Sequence, residues 1–498
     1  MDGAPRRQAS VEEEPITPAQ SATDPVLRAF VAKRTRRKLE LASMTASGAP
    51  YARPLAGLLH AEACTAEELL DSYGARTSHE WFAIRQLVAA LKNTCWISYI
   101  LLHVAHRIPA YHLGNDSPRF GEDTNLAISI ASSCVRRVCS SLLNQARKLA
   151  LLDERGQQTC QLLDEDFIPG AFPHDLGGGG KAQEREAVLK LATTFLNMSG
   201  EFARYRPPES KAHADLTDYV RRNASEEDLR IMELRAHNLQ SIYDTYIQDT
   251  PAEYVDTELV TLRGHATVVF HLLEMSTILS HHYQRHLNQS GSAILRMETC
   301  IRPDECLQLL VRYSLRYCQH FMEQGGRLCR VMLRRYSKPA KLRVPLPIYR
   351  GFHVRPSALV AQIVHHYGCE VSMEIEGESY NAQSPLDLFR ANEVINRLKR
   401  AALAKKIDDL MGGMANCPRE EYTRALRHVI LSLAEQGDVV IYGALDMEEE
   451  QQANGKKEQI SGTEYLVNQI FRLMALGKID LYADFLADFS GDERAVHD

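Results

Sequence analysis

The residues best equipped for chemistry lie in the stretch YRGFHVRPSALVAQIVHHYG, Tyr349 to Gly368, where His353 stands just ahead of a helix pattern. Pro356 suits the first turn of a helix, because its missing N–H would have had no partner there and its ring presets the backbone angle. Leu359, Val360, Ile363, Val364 and Tyr367 then recur on one face, and Gly368 supplies a left-handed stop. His353 therefore sits at the helix mouth, where unpaired N–H groups and the positive end of the helix dipole favour an anion. Arg355 adds a guanidinium fork matched to phosphate oxygens. Arg350 and Val354, the latter at the first helical position, complete a candidate phosphate cradle. A nucleophilic histidine facing such a cradle fits phosphoryl transfer.

The elements that must hold this loop read as a compact α+β pattern. Leu342, Val344 and Leu346 alternate as one strand. In CEVSMEIEGESYNAQS, Cys369, Val371, Met373 and Ile375 alternate with Glu370, Ser372, Glu374 and Glu376 before a turn at Gly377, as a hairpin does. SPLDLFRANE gives a short helix, GDVVIYGALD a further strand and EYLVNQIFRLMAL an amphipathic final helix. The predicted order over residues 340–480 is strand, helix, strand, strand, short helix, strand, helix, with 481–498 as a tail. Between them, Val394, Ile395, Leu398, Ala402, Ile407 and Leu410 mark one extra helix, and Tyr422, Leu426, Val429, Ile430 and Leu433 another. These read as a helical hairpin inserted at 393–435.

On these residues, GFHVRPSALVAQIVHHYGCEVSMEIEGESYNAQSPLDLF resembles the histidine-containing phosphocarrier (HPr) family of the phosphoenolpyruvate-dependent sugar phosphotransferase system. The resemblance implies an open-faced sandwich of an antiparallel sheet and three helices. It implies His353 as phosphoryl acceptor, Arg355 as the residue stabilising the phosphohistidine, and Ser384 as the counterpart of the family's regulatory serine. The partners implied are a phosphoenolpyruvate-dependent donor enzyme and sugar-specific or regulatory recipients, with this chain acting as a relay, not as a stand-alone enzyme, and needing no cofactor. Two departures bear on this. Pro385 follows Ser384, which favours a helix cap over a kinase target, and the insertion leaves the fold beside the short helix, where it could cover the partner surface or dock on the chain's own helical domain. The alternative is a non-catalytic scaffold that keeps a relic phosphocarrier domain.

The rest of the chain is helical in pattern. Residues 51–336 read as a large all-α domain of unknown function, without a convincing repeat, and residues 1–50 as a disordered tail with no apolar signal region. The run KRTRRK, Lys33 to Lys38, reads as solvated surface, and the formal net charge of −6 argues against a nucleic-acid-coating protein. The longest apolar stretch, CWISYILLHVA, is too short to span a membrane and reads as a buried helix. Eleven cysteines stand singly, with no CxxC pair, which fits reduced thiols in a cytoplasm. His265, His271, His281, His282 and His286 crowd one helix, and Glu233 and His237 share another. No HExxH pattern accompanies them, so packing or surface roles are expected and no metal site is assigned.

Overall fold

The computed structural model describes residues 24–152, 181–210, 212–287, 301–347, 351–411, 422–443, 445, 462–482 and 485–498. Among them the chain is mostly helical, with a small antiparallel sheet on its C-terminal side. It divides into two compact units: Met1–Gly178 with Glu201–Thr245 and Glu253–Gln324, and Gly179–Gly200 with Tyr246–Ala252 and Gly325–Asp498. Arg350 falls outside the described residues.

The first unit opens with α1 (Asp24–Ala46), α2 (Arg53–Ser72), α3 (Phe82–Arg107) and α4 (Ser117–Lys148), which share one apolar core around Leu41, Leu59, Leu91 and Val138. The expected tail over 1–50 is thus corrected over α1. The basic run hides an inward stripe: Val31, Thr35, Leu39 and Ala42 are buried at helical spacing while Lys33, Arg34, Arg36 and Arg37 face out. Lys38 is buried too, and burial lowers its ammonium pKa to about 7. The helices Phe82–Ala110 and Gly114–Lys148 are long and apolar enough to cross a membrane by length and composition alone. Here they pack on each other, and Cys95, Ile97, Ile100, Leu101 and Val104 of α3 are buried.

Beyond α4 come α5 (Lys181–Phe202), α6 (His213–Asn223), α7 (Glu226–Tyr246), α8 (Pro251–Val255), α9 (Thr257–His282), α10 (Pro303–Leu307) and α11 (Arg316–Tyr336). The division between the units falls inside α5 and α11, so residues 179–200 and 325–336 join the C-terminal sheet, and the expected helical boundary at Tyr336 moves to Gln324. A reason is visible at Gly368, where a Cβ would stand 2.2 Å from the Leu196 side chain, and at Asn197, whose side chain donates to the His366 carbonyl at 3.0 Å.

The second unit contains β1 (Pro339–Pro345), α12 (Val354–Tyr367), β2 (Val371–Ile375), β3 (Glu378–Asn381), α13 (Pro385–Arg390), α14 (Asn392–Met411), α15 (Tyr422–Glu435), β4 (Val439–Ile441), α16 (Gly462–Ala475), β5 (Ile479–Leu481), β6 (Leu486–Asp492) and α17 (Glu493–His497). The main sheet runs β1-β6-β2-β3, every pair antiparallel. β2 alternates as the sequence requires: Val371, Met373 and Ile375 are buried under α12, α13 and α17, while Ser372 and Glu374 are exposed. Its turn to β3 has two residues, Glu376 and Gly377, both at positive φ, the hairpin geometry that glycine makes easy. On the open face Arg343 and Lys341 of β1 pair with Asp488 of β6 and hold its carboxyl well below the usual carboxylate range.

The strand and helix that complete this layer are not the expected ones. β6 and α17, from the stretch expected as a tail, fill those places, and Val439–Ile441 and Gly462–Ala475 belong elsewhere. The insertion therefore extends beyond 393–435 to about Leu481, and it is a small subdomain with its own core of Ile407, Leu426, Ile430, Leu433, Leu466, Ile470 and Leu473. Inside it is a repeat. α15 ends at Gly437 (φ 79°) and leads into β4; α16 ends at Gly477 (φ 70°) and leads into β5. The hydrogen bonds match forty residues apart: Asp438 N–H to Leu433 O at 2.8 Å and Lys478 N–H to Leu473 O at 3.0 Å, then Tyr442 N–H to Lys478 O and Tyr482 N–H to Asp438 O, both at 2.8 Å. Both turns are left-handed helix stops with the C-terminal carbonyls satisfied. The two strands pair antiparallel about Val440 and Asp480. Asp480 breaks the symmetry by forming a buried ion pair at 3.1 Å with Lys399 of α14.

Candidate functional site

α12 begins where Pro356 places it, and His353 is its N-cap, with extended backbone (φ −71°, ψ 179°). The ring nitrogen Nδ1 of His353 accepts the Arg355 N–H at 3.4 Å, so that face of the imidazole is turned onto the helix N-terminus. The His353 carbonyl accepts the Ser357 N–H at 3.1 Å, the first bond of the helix. His353 is half-buried, while Val354 and Arg355 are exposed around it. Leu359, expected on the buried stripe, is also exposed; Ser357, Ala361 and Val364 are the residues α12 buries.

Three residues that sequence reasoning did not single out hold the loop. Gly351 lies at φ 60°, and a Cβ there would stand 2.3 Å from Asn392 Oδ1. Asn392, the first residue of α14, accepts the Phe352 N–H at 2.9 Å and donates to the Phe352 carbonyl at 3.1 Å, satisfying both polar groups of the residue before the histidine. Ser357 Oγ donates to that same carbonyl at 2.9 Å. Ser357 carries a local signal, a small hydroxyl residue in the first helical turn. Asn392 carries none, since it lies forty residues downstream. Its position makes the insertion begin at the histidine loop.

Ser384 is the N-cap of α13, its Oγ accepting the Asp387 N–H at 3.2 Å. α13 packs against α12, and Leu386 and Phe389 of α13 are exposed, as are Val354 and Leu359 of α12.

The other histidines are placed differently. His265 and His282 are buried in the first unit, and burial lowers the His265 imidazole pKa to about 4. His281 pairs with Glu226 at 2.8 Å and His271 lies 3.6 Å from Glu274. His237 stands edge-on to Phe270, and Glu233 accepts the Thr277 hydroxyl at 2.7 Å. The His286 side chain falls outside the described residues. Among the described residues no three His, Cys, Asp or Glu side chains converge as metal ligands, and the eight described cysteines are free thiols. Comparison with family models, with curated proteins and with solved structures finds no match.

Proposed function

We propose that the chain is a phosphocarrier or phosphorylation-sensing regulatory protein, in which His353 accepts a phosphoryl group from a phosphoenolpyruvate-dependent donor enzyme and passes it to, or signals it toward, a sugar-specific or regulatory partner. The observation that carries this reading is the ring of His353 lying on the N-terminus of α12 with Arg355 beside it. In the transfer, the lone pair of the imidazole nitrogen forms the bond to phosphorus as the bond from phosphorus to the donor's leaving group breaks. A phosphoryl group on Nδ1 meets the positive end of the helix dipole, and the Arg355 N–H passes from the ring nitrogen to a phosphate oxygen. The Arg355 guanidinium is exposed and close in sequence, able to add a charge-assisted contact, and the Val354 N–H belongs to the same helix mouth. No metal or cofactor enters this chemistry, and the reading places the protein in the cytoplasm.

Two further observations favour a regulatory relay. The exposed apolar residues Val354, Leu359, Leu386 and Phe389 on the neighbouring helices α12 and α13 suit a docking partner protein. The Asn392 clamp on Phe352 joins the histidine loop to an insertion, so a charge added at His353 is felt where α14 begins. Ser384 acts as a helix cap in this reading.

The test is phosphoenolpyruvate-dependent labelling by a donor enzyme of the phosphotransferase system, with the wild type beside His353→Ala and Arg355→Ala. Acid-labile label is expected in the wild type, none in His353→Ala, and a faster-decaying label in Arg355→Ala. Absence of label from the wild type, with a control carrier labelled in the same mixture, refutes the relay and favours a scaffold with a relic domain.

A further inference from the structure

The helix that starts as α10 and ends as α11 changes its winding in between: Gln308–Leu315 is a π-helix, in which each backbone N–H bonds five residues back. Such wide turns are rare and recur at functional sites. Beside it, within the first unit, lies a cavity of about 460 Å³, in the range of small-molecule sites. α4 forms one wall with Asp123, Leu126, Ala127 and Ile130, which fall on one helical face. This wall is fixed to the opposite helix by a hydrogen bond between the Thr124 and Tyr313 hydroxyls at 2.8 Å and by the Tyr317 hydroxyl, which donates to Asp123. Leu216 of α6, with Leu307 and Leu309, extends the apolar surface. Arg312 and Arg316, four residues apart, bring two guanidinium groups to it.

Charge selects the ligand. Half-buried arginines elsewhere in the chain are answered: Arg28, Arg137, Arg235, Arg263 and Arg494 each reach a carboxylate. Arg312 is half-buried too, yet among the described residues it makes no hydrogen bond or ion pair, and neither does the exposed Arg316. A guanidinium drawn partly out of water without an anion carries a desolvation cost that a bound anion would offset. The carboxylates that share the cavity are already engaged, Asp123 by the Tyr317 hydroxyl and Asp304, two turns from Arg312, by His213. Two guanidinium charges against the one carboxylate of Asp123 leave a single positive charge at that end, which calls for a monoanion. A planar carboxylate meets a guanidinium with two oxygens on two N–H groups. The wall beside the arginines is wholly aliphatic and includes the exposed Leu126, so it calls for a hydrocarbon body.

We propose that this cavity binds an aliphatic monocarboxylate, its carboxylate on Arg312 and Arg316 and its chain on Leu126, Ile130 and Leu216. The site uses no residue of the C-terminal unit, so it stands or falls separately from phosphoryl transfer at His353.

Calorimetric titration of the full chain with octanoate tests this, with acetate, octanol, octylamine and octyl phosphate as controls. Octanoate is expected to bind roughly tenfold or more tightly than acetate, octanol or octylamine, and more tightly than octyl phosphate, whose second charge meets Asp123. Arg312→Leu is expected to weaken octanoate roughly tenfold or more. The same variant should keep or raise the melting temperature of the unliganded protein, because a half-buried unpaired charge is gone. Arg316→Gln and Leu126→Ser, both at exposed positions, should weaken octanoate by smaller factors, and His353→Ala should leave it unchanged. Octanoate binding no tighter than that of acetate, octanol or octylamine overturns the proposal, as does tighter binding of octyl phosphate. So does octanoate binding that survives both Arg312→Leu and Arg316→Gln intact.

Discussion

His353 and His265 are the same side chain in opposite surroundings. His353 caps a helix at a half-buried mouth, one ring nitrogen against a backbone N–H and exposed residues around it. His265 lies inside the helical unit, packed against Phe321 with its Nδ1 unpaired, and burial holds it neutral down to about pH 4. The histidine-rich helix of the first unit thus offers clustered imidazoles and less accessible chemistry, while His353 of the second unit combines a route to solvent with an arginine and a helix N-terminus, which the exposed His365 and His366 in the last turn of the same helix do not. In the proposed reading, what would equip a histidine for phosphoryl transfer is its position on the backbone at a helix N-terminus, not the number of histidines nearby.

Substitutions that act on one region and spare the other sharpen this contrast. The largest effect belongs to Gly264→Ala on α9, where a Cβ would stand 1.8 Å from the Tyr111 carbonyl oxygen. It should destabilise the first unit by about 3 kcal/mol, read by chemical denaturation, with histidine labelling unaffected at temperatures where both units remain folded. Next comes the pH dependence set by His265. Its folded pKa of about 4 lies below the ordinary 6.5, so the unfolded chain takes up a proton first as pH falls. The stability tied to a neutral His265 is full above pH 6.5 and is lost between 6.5 and 4, amounting to about 2 kcal/mol by pH 5. His265→Leu should flatten the denaturation profile across that window, whereas His353→Ala should leave its slope as it is. Asn392→Ala removes both bonds to Phe352 and should cost about 2 kcal/mol in the second unit. It should also slow phosphoryl acceptance by loosening the loop, which single-turnover labelling would detect. The smallest effect is that of Ser384→Ala, about 1 kcal/mol for loss of the cap, with labelling of His353 retained.

The two regions also differ in how much of them a sequence reader could see. The start of α12, its glycine stop, the alternation of β2 and the cap at Ser384 rest on contacts within a few residues, and the order of types along Val354–Arg390 was legible for that reason. The closing strand was not. GDVVIYGALD has the β-branched pattern of a strand, and LADFSGD, with two aspartates and a glycine, has little. β6 is nevertheless the strand between β1 and β2, because Gly491 permits an approach that a side chain would block: a Cβ there would stand 2.6 Å from the Glu370 carbonyl oxygen. The repeat of helix, glycine and strand stayed hidden because its two copies share mainly spacing, Leu433 with Leu473, Gly437 with Gly477 and Tyr442 with Tyr482. The Asn392 clamp on the histidine loop was equally invisible, because it joins positions forty residues apart in the chain.

The central claim is most directly tested by locating the phosphoryl group. The chain, charged by the donor enzyme and kept at neutral to basic pH, would be digested and its peptides fragmented by mass spectrometry. A single phosphorylation on the peptide that begins in the Gly351–Arg355 loop, assigned to His353, is the result this account predicts. Phosphate on His265, on any other histidine of the helical unit or on Ser384 in place of His353 would contradict it.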